Sequence, residues 1–309
     1  MRFFVLGAVV AQVGEERILL GRRQERCLIG LLLLDCNRLV PAERLADLLW
    51  DGCPPAGARA AMLRLMTFYV QAVSRASAIA TANAKLAAEQ AGPDVPLPAL
   101  PDPTSAMAWL DDELPNIVAV VKHAADHGPY APTWQISRCL THYFWIRRSL
   151  PPWRAINEAA LAAAHKADQP DAIAHSLNAL AVTTWTTSDL RRARSLFEEA
   201  LALNGRLGRE AAQASNHTNL GSLCRQTGQL TAALAHTKTA IRLGRRHARP
   251  LTVANALLCL GSLHRDLGAL FSATKTVSQA LTAYRDLGST DGQVSSLNEL
   301  ASIRCELGH

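Results

Sequence analysis

The chain has 309 residues, 49% hydrophobic and 19% charged, with a formal net charge of +6. Such a composition excludes a disordered chain, permits two or three globular domains, and allows a polyanionic partner without requiring one. No apolar run reaches the ~18 residues that a membrane-spanning helix needs, and the first residues lack an apolar signal core, so a cytoplasmic protein without membrane contact is expected.

Seven cysteines are scattered along the chain (Cys27, Cys36, Cys53, Cys139, Cys224, Cys259 and Cys305). An odd number with no C-x-x-C spacing points to reduced, mostly buried thiols. Residues 3–20 read as a small β-meander: Phe3-Phe4-Val5-Leu6 ends at Gly7, Ala8 to Val13 is broken by Gly14-Glu15-Glu16, and Arg17 to Leu20 follows. Residues 22–34 change period, and Leu28, Leu31 and Leu32 make the apolar stripe of an amphipathic helix. Pro41 opens a second helix at a position where its missing N–H costs nothing. That helix carries Leu45, Leu48, Leu49 and Trp50, and a third runs from about Ala58 to Arg75.

This order of elements resembles the OmpR/PhoB-type winged helix-turn-helix. More specifically it resembles the N-terminal DNA-binding domain of SARP-type regulators, the actinobacterial antibiotic-regulatory activators. The likeness rests on Phe3-x-x-Leu6-Gly7, Leu20-Gly21-x-x-Gln24-x-Arg26-x-Leu28, Leu31 to Leu34 and Arg38-x-Val40. It continues through Glu43-Arg44-Leu45-x-Asp47-x-Leu49-Trp50 and Pro54-Pro55-x-x-Ala58-Arg59. The resemblance implies that the third helix reads promoter DNA, with Arg59, Arg64, Thr67, Gln71 and Arg75 as the contacting residues. After residue 60 the chain departs from the family: Leu63 to Met66 add about one helical turn. Gln71-Ala72-Val73-Ser74 replaces a basic stretch, and the Ala-rich residues 76–90 stand where the wing belongs. The family's activation domain is missing too.

Residues 91–103 contain five prolines and form an extended linker. Ala106 to Gly128 is helical again. Its Ala108-Trp109-Leu110-Asp111-x-Glu113-x-x-Asn116-Ile117-Val118 resembles the segment that opens the repeat region of large SARP-type regulators. Their central ATPase is absent here, because no G-x-x-x-x-G-K-[ST] occurs.

The C-terminal part repeats itself at a constant period of about 40 residues, a length typical of helical-hairpin repeats. Leu180, Leu220, Leu260 and Leu300 are each followed by a small residue; Ala193, Ala233 and Ala273, then Ala200, Ala240 and Ala280, keep step, and Gly228, Gly268 and Gly308 mark one fixed point that Ser188 takes in the first unit. The phase reaches back weakly to about residue 133. Such a period indicates a solenoid in which each unit buries its apolar face against its neighbours, and the pattern resembles tetratricopeptide repeats. The expected fold is mainly α: an incomplete winged helix-turn-helix with a small β-sheet, then an α-solenoid of tetratricopeptide-like hairpins. The expected division is a DNA-binding module over 1–76, a helical segment and linker over 77–103, and the solenoid over 104–309.

The first helix of each hairpin carries side-chain ladders at the same spacing: Asn178, Thr218, Leu258, Asn298; Val182, Ser222, Ser262, Ser302; and Trp185, Arg225, Arg265. Asn amides suit an extended peptide backbone and Arg suits carboxylates, so Asn178, Trp185, Thr218, Ser222, Arg225, Ser262, Arg265 and Asn298 are the candidate partner-binding residues. The bland alternative is a polar face turned to water. His123 and His127, four apart, have no further ligand beside them, and Asp111-Asp112-Glu113 reads as the solvated first turn of a helix. No nucleophile motif occurs, so neither an enzyme nor a cofactor or metal is expected. Two functions fit: a transcriptional regulator that binds DNA through its N-terminus and a protein, a peptide or a second copy of itself through the repeats, or a scaffold whose N-terminal module no longer binds DNA.

Overall fold

In a computed structural model, residues 2–4, 10–13, 16–18, 58–80 and 100–308 are described, with side chains over 66–80 and 100–308. The helices expected over 22–34 and 41–50, the Ala-rich segment after residue 80 and most of the Pro-rich linker lie outside the described residues. Three short strands, β1 (Arg2–Phe4), β2 (Val10–Val13) and β3 (Glu16–Ile18), pair antiparallel in the order β1-β2-β3. The chain divides into two compact units, Met1–Ala167 and Asp168–His309.

Among the described residues of the first unit four helices pack together: α1 (Ala58–Ala80), α2 (Pro103–His127), α3 (Ala131–Arg147) and α4 (Leu150–Lys166). Asp102 caps α2, its carboxylate accepting the Ser105 N–H at 2.7 Å, and Pro103 opens the helix. α1 lies on α2 and α3, and α4 covers both. Met66, Leu110, Ile117, Ile136, Leu140, Phe144, Trp153 and Ile156 fill the interior. The Phe144 and Trp153 rings stack 5.6 Å apart. The third helix, expected to about Arg75, and the start of the Ala-rich segment, expected as helix over 76–90, are one element: α1 runs unbroken through Ala76 to Ala80.

The second unit is seven helices of equal length: α5 (Pro170–Thr186), α6 (Leu190–Arg206), α7 (Glu210–Gln226), α8 (Leu230–Arg246), α9 (Pro250–Asp266), α10 (Leu270–Asp286) and α11 (Thr290–Glu306). Each has 17 residues. One residue in the left-handed region ends each helix, and these fall at equal spacing at Ser188, Gly208, Gly228, Ala248, Gly268, Gly288 and Gly308. At Gly228 the following N–H, of Gln229, bonds the Cys224 carbonyl at 2.8 Å, and Gly228 N–H bonds the Arg225 carbonyl at 3.0 Å. This pair of bonds satisfies the carbonyls a helix end leaves open and turns the chain back on itself. Ser188 does occupy the glycine position in the first hairpin, with φ 65°. The intervening turns repeat the same device, which the sequence pattern hides because Ala248 stands at one of them.

Hairpins form from α5 with α6, α7 with α8 and α9 with α10, and α11 packs on α10. The first helices also touch one another in succession, α5 with α7, α7 with α9 and α9 with α11, so they form the inner layer of the stack. Inside each hairpin the repeated alanines are fully buried: Ala193, Ala233 and Ala273 near the start of the second helix, Ala200, Ala240 and Ala280 further along. Small side chains let the helix axes close to within about 8–10 Å. Gly221 and Gly261 bring the first helix closest: a Cβ on Gly221 would sit 2.6 Å from Thr237 Oγ1, and one on Gly261 would sit 3.2 Å from the Val277 backbone nitrogen. Phe197, fully buried, anchors the first hairpin with Leu220 and Leu223.

Candidate partner-binding face

The inner layer presents the residues that the sequence singles out, and it brings most of them together. Trp185, Arg225 and Arg265 occupy the same place on α5, α7 and α9, and each reaches to the last turn of the next first helix. Trp185 Nε1 donates to Gln226 Oε1 at 2.6 Å. Arg225 Nη1 donates to Asp266 Oδ2 at 2.9 Å. Arg265 Nε lies 3.6 Å from Glu306 Oε1, and its Nη1 lies 3.1 Å from Glu299 Oε1, a charge contact without hydrogen-bond alignment. The ladder is therefore also a lacing that ties hairpin to hairpin. The carboxylates expected from a partner have counterparts in the chain itself.

The remaining candidates separate by burial. Asn298 is exposed, and Asn178 and Ser222 are half-buried. Thr218 and Ser262, expected on the open face, are instead buried, at 7% and 5% exposure. Their place in the sequence gave no warning, because a hydroxyl is equally at home on a surface or turned to its own helix; Thr218 Oγ1 donates to the Ala214 carbonyl at 3.0 Å.

Sequence reading missed two polar clusters behind this face. One is an amide chain: Asn204 Nδ2 donates to Asn216 Oδ1 at 2.8 Å, Asn216 Nδ2 to Asn178 Oδ1 at 2.9 Å, and Asn219 Nδ2 to the same Asn178 oxygen at 3.0 Å. Asn204 and Asn216 are buried, so the bonds offset their desolvation and fix how α5, α6 and α7 meet. The other is His217 on α7 against His236 on α8, with Nδ1 atoms 2.8 Å apart. In the hairpins on either side the equivalent positions hold Leu177 with Leu196, and Leu257 with Thr276. Burial holds both imidazoles below their ordinary value, His217 down to about 4, with the other ring and Arg242 adding to the effect. The sequence signal was a polar residue breaking a Leu column.

In the first unit, α1 turns Met66, Tyr69, Val70, Val73 and Ser77 inward. Tyr69 donates its hydroxyl to Glu113 Oε2 at 3.0 Å, and Ser77 donates to the Cys139 carbonyl. Thr67 and Gln71 are half-buried and Arg75 is exposed, at i, i+4 and i+8 on the opposite stripe. Arg59 and Arg64 lie on α1, but their side chains are outside the described residues. The acidic triplet is not a first turn: α2 begins well before it, at Pro103. Asp111 accepts from Tyr143 at 2.8 Å and from both Nε and Nη2 of Arg147, at 3.0 and 2.6 Å. These are structural bonds between α2 and α3. His123 and His127 stack 4.6 Å apart. Among the described residues no three metal-ligating side chains cluster. Cys139, Cys224 and Cys259 are buried thiols outside any disulfide, and Cys305 is an exposed one. No described helix is long and apolar enough to cross a membrane.

No family model matches the sequence, and no curated protein does. Among solved structures the chain is similar to BtubC (BKLC) from P. vanneervenii. That similarity has 16% identity and a TM-score of 0.48, and it covers 66% of this chain and 92% of that one. It is also similar to aspartyl phosphate phosphatase F from Bacillus subtilis, at 9% identity and a TM-score of 0.41, over 93% and 85% of the two chains. At these scores neither likeness carries a functional argument, and the helical-repeat assignment stands on the chain's own equal helices and turns.

Proposed function

We propose that this chain is a non-enzymatic interaction protein that holds a partner segment against the inner layer of α5, α7, α9 and α11. The observation that carries the reading is the row of half-buried side chains at one register, Trp185, Arg225 and Arg265, with half-buried Ser222 and exposed Asn298 on the two neighbouring registers of the same layer. Such a row offers hydrogen bonds and charge to an extended backbone while the hairpins stay rigid behind it. Arg225 and Arg265 would exchange a chain carboxylate for a partner's, so acidic peptides are the favoured class.

A display library of extended peptides should select acidic binders. Replacing Arg225 and Arg265 together by Gln should weaken them about fivefold. The ion pairs are half-buried, so stability should fall as well, by about 1–3 kcal/mol for each charge left without its partner, and circular dichroism at the assay temperature checks that the variant stays folded. Binders that ignore the double substitution would overturn the reading.

A second reading, the SARP-like regulator, is favoured by α1. The stripe Thr67, Gln71 and Arg75 that packing leaves outward is the one that the family resemblance assigns to DNA. A gel shift on promoter DNA at about 50 mM salt, where phosphate contacts are strongest, run with an excess of unlabelled duplex of unrelated sequence, should show a promoter complex that the triple Arg59→Gln, Arg64→Gln and Arg75→Gln variant loses. No complex at that salt removes this reading and leaves the scaffold.

A further inference from the structure

The middle hairpin carries an outward charge that neither reading uses. Lys238, Arg242 and Arg245 sit at i, i+4 and i+7 on α8, all exposed, and Arg249 follows, exposed, at the turn into α9. None of the four takes part in an ion pair among the described residues. The cations around them differ: Arg246 lies 3.1 Å from Glu210 and His247 lies 2.7 Å from the same carboxylate, while Arg209 pairs with Asp171. The neighbouring second helices repeat the stripe at one place only, where Arg285 on α10 stands for Arg245; α6 has Gly205 there. The places of Lys238 and Arg242 hold Glu198 and Ala202 on α6, and Ser278 and Thr282 on α10. This is a local concentration of exposed positive charge on the side of α8 away from its buried face; Glu210 feels the Arg242 charge but forms no ion pair with it.

We infer that this stripe binds the phosphate backbone of nucleic acid, independently of base sequence. Along α8 the rise of about 1.5 Å per residue spaces the three cations about 5–6 Å apart, close enough to engage successive phosphates of one strand. Three of the four are Arg, whose fork meets phosphate oxygens in pairs. The C-terminal end of α8 has the wrong dipole sign for an anion, so the side chains alone provide the attraction. A protein partner fits less well. Protein interfaces are anchored by aromatic and apolar side chains at their centre, and the stripe contains none; exposed Leu251 lies two residues beyond its last member.

The test is fluorescence anisotropy of the full chain with a labelled duplex of about 20 base pairs and arbitrary sequence, titrated across salt concentrations. Replacing Lys238, Arg242, Arg245 and Arg249 by Gln should weaken binding about tenfold at about 100 mM salt and flatten the slope of log K on log salt by about 3. The α1 triple-Gln variant is measured beside it, so that loss there and loss at the stripe are read separately. A double Arg242→Gln, Arg245→Gln variant with an unchanged melting curve guards against an effect of misfolding. Full-strength binding by the stripe variants would overturn the proposal. So would absence of any binding by the unmodified chain at about 50 mM salt, or an acidic polypeptide of equal charge displacing the duplex more readily than a second duplex does.

Discussion

Replacing Gly261 by Leu is expected to destabilise the C-terminal unit by about 3 kcal/mol, near the upper end of overpacking costs. Gly261 lies on α9 at its closest approach to α10. A Cβ there would fall against Val277 Cγ2, 3.2 Å from the Val277 backbone nitrogen and 3.5 Å from the Ala273 carbonyl. Two of these three neighbours are backbone, so relief requires the helices to separate. Separation uncovers Ala273, Val277 and Ala280, all fully buried. Gly261→Ala should cost less, about 1–2 kcal/mol, since Ala181 fills the equivalent place opposite Phe197. Gly205→Ala provides the contrast: nothing lies within 4 Å of it and its backbone is helical. There the gain in helix propensity should stabilise by up to about 1 kcal/mol. Urea unfolding followed by circular dichroism measures all three. Equal midpoints for Gly261→Leu and the unmodified chain would remove the close approach as a determinant of the fold.

Acidification is expected to cost the same unit about 2 kcal/mol through the His217–His236 pair, by the linkage between proton binding and folding. An unfolded His217 takes its proton near 6.5, whereas the folded one takes it at about 4. Between those values the unfolded chain binds more protons, so stability rises with pH across that window. The contribution is complete above pH 6.5 and disappears as pH falls through about 4. His236 is displaced in the same direction, by burial first and by Arg194, against an opposing pull from Glu198. The expected cost is well below the full displacement converted at about 1.36 kcal/mol per pH unit, because the pair is half exposed and solvent screens it. A double His217→Leu, His236→Leu variant, which places here the residues that α5 and α6 carry at positions 177 and 196, should melt at nearly the same temperature at pH 4.5 and pH 7. A variant that keeps the unmodified chain's pH dependence would assign it to other groups.

The solenoid was legible because Leu180, Leu220, Leu260 and Leu300, and the alanines in step with them, answer to packing that recurs at every unit. Helix ends were legible at Gly228 and Gly268, where positive φ selects glycine, and invisible at Ala248, where an alanine accepts the same strain. The candidate face was legible as a row of positions, not as bonds. Nothing local tells that Arg225 meets Asp266, because the partner is distant in sequence and is brought near only by stacking. The same holds for the amide chain: Asn204 stands on α6 and Asn216 on α7, and they become interior only when the two helices close on each other. The triplet at Asp111 misled because three acids in sequence favour a helix start, whereas here Tyr143 and Arg147 hold Asp111 from the neighbouring helix.

The left-handed residue that closes every helix makes the second unit a chain of interchangeable links, with consequences for how its length can change. Excising one whole hairpin, residues 209–248, joins turn to turn and restores every helix to a neighbour of the same type. Excising a single helix with its turn also joins turn to turn, yet it sends each later helix to the opposite layer. Alanine-lined second helices would then face the partner, and the laced Trp185–Arg225–Arg265 row would be broken. Growth and shrinkage by whole hairpins keeps the binding face continuous; change by single helices turns it inside out.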